Sequence, residues 1–199
     1  MTAEPMTATG GRQPVRTRSQ AERRRKIVKT AAALASRGGV EAMQMRTVAE
    51  RAGVALGTLY RYFPSKMDLV VAVVDEELDL LQNSISRRPP HGATPAERAM
   101  EVLTRATRGL MREPELTEAL IRALMLTEIP VGFGDRMTRM LLHAATGEEE
   151  ISVQDPRWAL GRALASAWVM EMIELLRGRS NPEEIHNRLE TAAARLIDF

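Results

Sequence analysis

The chain has 199 residues and no cysteine, which excludes disulfides, cysteine-ligated zinc and thiol nucleophiles, while 44% apolar residues suffice for a real core. The net charge of +2 conceals a division: up to Lys66, 13 lysines and arginines stand against 4 acids, a net of +9, and from Met67 onward 15 stand against 22, a net of −7. Such asymmetry points to a polyanion-binding head on a body that does other work.

Residues 1–18 carry Arg12, Arg16 and Arg18 without an apolar run, so they read as a basic arm rather than a secretory signal. The stretch LVVAVV at 69–74 is far too short to span a bilayer, and a soluble, cytoplasmic chain is expected. From there almost everything reads as helix. Ser19 with Glu22 has the form of a capping box, followed by Ile27, Ala31 and Leu34 at helical spacing until Gly38-Gly39. A short helix starting between Gln44 and Thr47 ends at Gly53, and a third covers about 55–61. Pro64 breaks the chain, and Ser65 caps a long fourth helix. The segment RRPPHGA, 87–93, is the clearest loop and a junction. Thr94-Pro95, Asp155-Pro156 and Asn181-Pro182 each place a capping residue before a proline at the first helical position. Two more helices fit at about 114–127 and 134–146, and the last two at about 156–177 and 182–197. No stretch alternates with period two. An all-α chain of about nine helices is predicted.

Residues 44–62, QMRTVAERAGVALGTLYRY, have the internal logic of a helix-turn-helix. Ala49 is small where the next helix must cross, and Gly53 can take the positive φ of the tight turn. Val48, Val54 and Leu59 fill the wedge, leaving the N-terminal end of the second helix (Leu56, Gly57, Thr58) free for a major groove. Tyr60 and Tyr62 are the only tyrosines; a phenol is stiff, reaches far and suits a hydrogen bond to a phosphate oxygen. Both could instead pack a small core, the reading that suits Phe63, which lacks a polar tip. Lys66 opens the next helix, where free N–H groups and a cation together favour phosphate.

TVAERAGVALGTLYRYFPSKMDLV resembles the signature of the TetR family of bacterial transcriptional regulators, over roughly residues 20–70. The resemblance implies an arm at 1–18, a DNA-binding head at 19–66, and a ligand-sensing and dimerisation body at 67–199. It also implies double-stranded operator DNA as partner, met by Gln44, Arg46, Thr47, Ala55, Leu56, Gly57, Thr58, Tyr60, Tyr62 and Lys66. Ala55 stands where many members have a capping Ser or Thr, which is a departure. Within the family, EAMQMRTVAERAGVALGTLYRYFPSK, with PELTEALIRAL and the C-terminal helix pair, is similar to the branch governing cholesterol catabolism in mycobacteria. That implies a repressor with a steroid or long-chain acyl-CoA inducer; the alternative is a drug-sensing regulator of efflux.

The helices from 95 to 146 are rich in flexible apolar side chains, and methionine adapts to irregular cavities. On the resemblance, Met100, Leu103, Leu120, Leu124, Phe133, Met137, Leu141 and Trp168 are candidates to hold the lipophilic effector; on periodicity alone they are equally core residues. The last two helices set small residues (Gly161, Ala163, Ala165, Ser166, Ala167) beside Trp158, Leu164, Trp168, Met172 and Leu176, as a homodimer interface would. His91, His143 and His186 are scattered, and Glu148-Glu149-Glu150 reads as a solvated loop. No metal, cofactor or catalytic constellation is expected, hence no enzyme.

Overall fold

Side chains write most of the helix starts. Ser65, Thr94 and Asn181 each accept a hydrogen bond from the backbone N–H three residues on, and Asp68, Glu97 and Glu184 in turn accept one from the N–H of the capping residue. Asp155 accepts from the Arg157 N–H at 2.8 Å, and Pro95, Pro156 and Pro182 open their helices at no cost in hydrogen bonds. The computed structural model describes residues 13–126 and 132–197. Among them it shows nine α-helices and no strand: α1 (Gln13–Gly38), α2 (Met45–Ala52), α3 (Leu56–Tyr62), α4 (Lys66–Arg87), α5 (Pro95–Leu110), α6 (Pro114–Leu126), α7 (Phe133–Thr146), α8 (Pro156–Leu176) and α9 (Pro182–Leu196). A single 3-10 turn, Val40–Ala42, links α1 to α2.

One boundary departs from expectation. Helix α1 begins at Gln13, so Ser19 lies inside it rather than capping it, and Glu22 pairs with Arg18 one turn back at 3.3 Å. A helix nucleated downstream extends through residues of fair propensity until Pro14, whose ring is tolerated only in a first turn. Residues 13–18 are therefore helix rather than arm; Arg12 and the side chain of Arg16 lie outside the described residues.

The core is continuous from end to end. In the head, Ile27, Val28, Ala31 and Leu34 of α1 pack with Val48, Ala52, Leu59 and Phe63. Helix α4 joins that cluster through Leu69 and Val70, then buries Val73, Val74, Leu78 and Ile85 in the body. In the body α7 packs between α5 and α8, and α9 covers α5 and α8; α6 lies against α1, the first helix of the head.

Helix α8 corrects a second expectation. Trp158, Leu164, Trp168 and Met172 are buried within the protomer, because this side of α8 faces its own neighbours. The face left open carries Leu160, Ala163, Ser166 and Met170. Gly161 marks a close approach of α8 to α7: a Cβ there would sit 2.9 Å from Leu142 Cγ and 3.0 Å from its Cδ2. Glycine inside a helix ordinarily weakens it by about 0.5–1 kcal/mol against alanine. Here the clash outweighs that. Gly161→Val should lower stability by about 1–3 kcal/mol in urea unfolding, and a gain would show that Leu142 yields freely.

Candidate nucleic-acid interface and cavity

Helices α2 and α3 form the expected pair. Gly53 takes φ 65° at the end of α2, its N–H bonding Glu50 O at 3.1 Å, and the Val54 N–H reaches Ala49 O at 3.0 Å. Val48, Ala49 and Leu59 are buried in the wedge, with Val54 half-buried. The opposite side is open: Ala55, Leu56, Gly57, Tyr60 and Arg61 are exposed and Thr58 is half-buried. Nothing lies within 4 Å of where a Gly57 Cβ would stand, so no intramolecular packing demands glycine there. The ring question resolves residue by residue. Phe63 is 2% exposed, under the Arg24 guanidinium at 5.3 Å, whereas Tyr60 is 46% exposed and outside the core. Tyr62 is intermediate, packed on the core with its ring 6.4 Å from that of Phe63.

Gln44 caps α2 without a side-chain bond; Arg46 is exposed and Thr47 half-buried on its first turn. Ala55 occupies the cap of α3 in extended conformation and, having no side-chain acceptor, leaves the helix start uncapped. At α4 the Asp68 carboxylate already takes the Ser65 N–H at 2.8 Å, and Lys66 Nζ stands 3.8 Å from Glu41. An acid thus sits at the helix start where phosphate binding was expected. The remaining acids of the described head are also tied: Glu22 to Arg18, and Glu50 to Arg46 at 3.1 Å. Arg23, Lys26, Lys29, Arg37, Arg51 and Arg61 pair with no carboxylate among the described residues, so the positive charge is left for outside partners.

In the body, a cavity of about 560 Å³ opens between α4, α5, α6, α7 and α8. Its apolar floor is Leu78, Leu120, Met137 and Trp168, with Phe133 stacked on Trp168 at 6.2 Å. Trp168 Nε1–H donates to Thr107 Oγ1 at 2.9 Å, which fixes the indole. Four of the eight expected residues therefore share one wall. Met100, Leu103 and Leu141 are buried in the packed core instead, and the side chain of Leu124 lies outside the described residues.

Sequence reasoning missed the rim. Arg88, Arg105, Arg108 and Arg112 line the opening, against Glu77 and Glu113. Arg105 is held by Glu101 at 3.1 Å, while Arg88, Arg108 and Arg112 pair with no carboxylate among the described residues. Burial, with Glu113 and Glu76 close by, raises the Glu77 carboxyl above its ordinary range. Arg105, Arg108 and Arg112 recur every three or four residues, a signal visible in the sequence. Glu148, from the acidic run, is not merely solvated: it takes two bonds from Arg157 at 2.6 and 3.0 Å, which hold its carboxyl below the usual range. Among the described residues, no group of three or more His, Asp or Glu is placed to hold a metal ion.

Two substitutions test the interface. Tyr60→Phe should weaken binding to a duplex selected by the wild-type protein by about 0.5–1.5 kcal/mol with thermal stability unchanged; equal affinity removes the hydroxyl from the interface. Ala55→Ser should stabilise the fold by about 0.5–2 kcal/mol by capping α3, read as a raised melting temperature.

Residues 27–73 match the bacterial regulatory proteins of the tetR family, and residues 92–196 match the tetracyclin repressor-like C-terminal domain. The chain is 39% identical over 195 residues to the HTH-type transcriptional repressor KstR of Rhodococcus jostii (strain RHA1), covering 96% of this chain and 90% of that one. With KstR of Mycobacterium tuberculosis (strain ATCC 25618 / H37Rv) it shares 34% over 185 residues, 90% of this chain and 82% of the other. A crystal structure of a TetR transcriptional regulator from Rhodococcus sp. RHA1 superposes with a TM-score of 0.80 at 32% identity, covering 90% of this chain and 97% of that one. Helix-turn-helix geometry, unpaired head cations and these likenesses lead to one assignment: the chain belongs to the tetR family of bacterial regulatory proteins.

Proposed function

We propose that the protein is a homodimeric, operator-binding transcriptional repressor released by a lipophilic thioester, an acyl-CoA or a steroid carried as one. The observation that carries the effector class is the cavity's two-part chemistry. An apolar floor of Leu78, Leu120, Met137 and Trp168 suits a hydrocarbon body. A rim with four arginines against two acids suits a phosphate-bearing head. Its volume of about 560 Å³ lies within the usual range of about 300–1,000 Å³ for small-molecule sites. The rival effector, a cationic drug as in an efflux regulator, would meet that rim with like charge.

Twofold symmetry would come from α8 and α9. The open stripe Leu160, Ala163, Ser166 and Met170 on α8 mixes small and apolar side chains, which allow close approach of a second copy. Two heads on one twofold axis would then read two half-sites, with Gln44 and Arg46 on phosphates and the first turn of α3 in the major groove. Among the described residues no helix is long and apolar enough to cross a membrane, and the cytoplasm is the compartment this role requires. An effector can weaken DNA binding only by its differential affinity for the two arrangements of the heads.

The experiment is a panel of fatty acyl-CoA and steroid-CoA thioesters, scored by gel shift and by melting temperature. An effector should release the duplex and raise the melting temperature together, by about 2.7 kcal/mol of added stability at one hundred times Kd. Replacing Trp158 with Phe leaves Trp168 as the only tryptophan, and its emission should change on titration. If cationic drugs release the duplex and no thioester does, the efflux-type reading takes its place.

A further inference from the structure

Arg136 lies on α7 between two residues of the cavity wall, Phe133 one turn before it and Met137 immediately after. Its guanidinium points away from the cavity, to α4. Nη2 donates to Asp79 Oδ1 at 2.6 Å and to Gln82 Oε1 at 3.3 Å, and Nη1 reaches Asp75 Oδ1 at 3.4 Å and Asp75 O at 3.5 Å. Asp75, Asp79 and Gln82 stand at i, i+4 and i+7, a single face of α4 presenting acceptors to one cation. The Arg136 side chain is only 23% exposed, so this fork is screened less than a surface pair. No other described residue of α5, α6 or α7 makes an ion pair to α4.

Helix α4 runs back from those acceptors to Lys66, four residues beyond the end of α3. Anything that fixes α4 along its axis therefore fixes where α3 stands. Asp75 and Asp79 lie roughly two and a half to three and a half turns from the capped start of α4, inside the helix rather than at a frayed end.

We propose that Arg136 is the positioning residue through which filling of the cavity is passed to the DNA-binding head: it clamps α7 to α4, so that a shift of Phe133 and Met137 is carried to the recognition helix. The proposal rests on the effector reading above. The clamp holds α4 in the arrangement seen here. A ligand that moves the start of α7 then moves α4 with it, because the fork binds two carboxylates at once and resists sliding.

Arg136→Gln removes the charge and shortens the side chain while keeping a polar end; Asp79→Asn keeps the size of an exposed partner, removes only its charge, and is the safer variant should the first unfold. Each is compared with the wild type for operator affinity, for thioester-induced rise in melting temperature, and for the ratio of operator Kd with and without saturating thioester. The clamp requires the thioester to bind both variants as it binds the wild type. It requires operator affinity alone to fall about threefold, and the Kd ratio to shrink by about tenfold. The double variant should lose little more than either single one. Arg136→Lys, which restores one charge contact, should recover part of the ratio.

An unchanged ratio with intact thioester binding overturns the proposal and leaves Arg136 a structural tie. If no thioester shifts the melting temperature of the wild type, the effector reading fails by itself. Operator affinity then decides the clamp: a threefold loss shared by both single variants, without further loss in the double, upholds it, and unaltered affinity overturns it.

Discussion

The structure depends on one helix that carries a single core from the head into the body. Helix α4 is capped where the recognition helix ends, buries Leu69 and Val70 against α1, and goes on to bury Val73, Val74, Leu78 and Ile85 among the body helices. Interiors packed like crystals do not absorb displacements locally. A change of α4 in either half is therefore felt in the other. The contact of α6 with α1 adds a second tie on the far side of the head.

That sharing gives the body's cavity its meaning. Its walls come from α4, α5, α6, α7 and α8, so whatever fills it presses on a helix whose other end sets the position of the head. The chemistry of the walls is divided in the same sense. The floor is aromatic and aliphatic, fixed by the Trp168–Thr107 hydrogen bond, and the exposed charged groups Arg88, Arg108, Arg112 and Glu113 lie at the opening, while Glu77 is partly desolvated.

Much of this was legible in the sequence wherever the determinant is local. Ser65–Asp68, Thr94–Glu97 and Asn181–Glu184 are capping boxes on the page, and the helices begin where they say. Ala49, Gly53 and Leu59 specify the helix-turn-helix because turn geometry and wedge size are set by those residues themselves. What escaped was decided by distant partners. The box at Ser19 was locally valid and overridden by continuation of α1 upstream. Trp158 and Trp168 carry no mark telling an intramolecular core from an interface, since both bury the same ring. Met100 and Met137 are alike in spacing, yet one packs solidly and the other faces a void, a difference made by the helices opposite. The arginine rim was periodic and visible, but its significance required knowing that α4 and α5 would bring Arg88 beside it.

The division of charge between Lys66 and Met67 has a consequence for motion rather than for contact. With a net of +9 at one end and −7 along the rest, the molecule is a strong electric dipole. In the field of a polyanion such a body experiences a torque before it experiences any specific bond: the head is drawn forward and the remainder is pushed back. Arrival is thereby oriented over distances of about one Debye length, roughly 8 Å in physiological salt. The acidic side guards against lying flat along the duplex, so fruitless encounters are short and the search begins with the reading surface already turned toward its target.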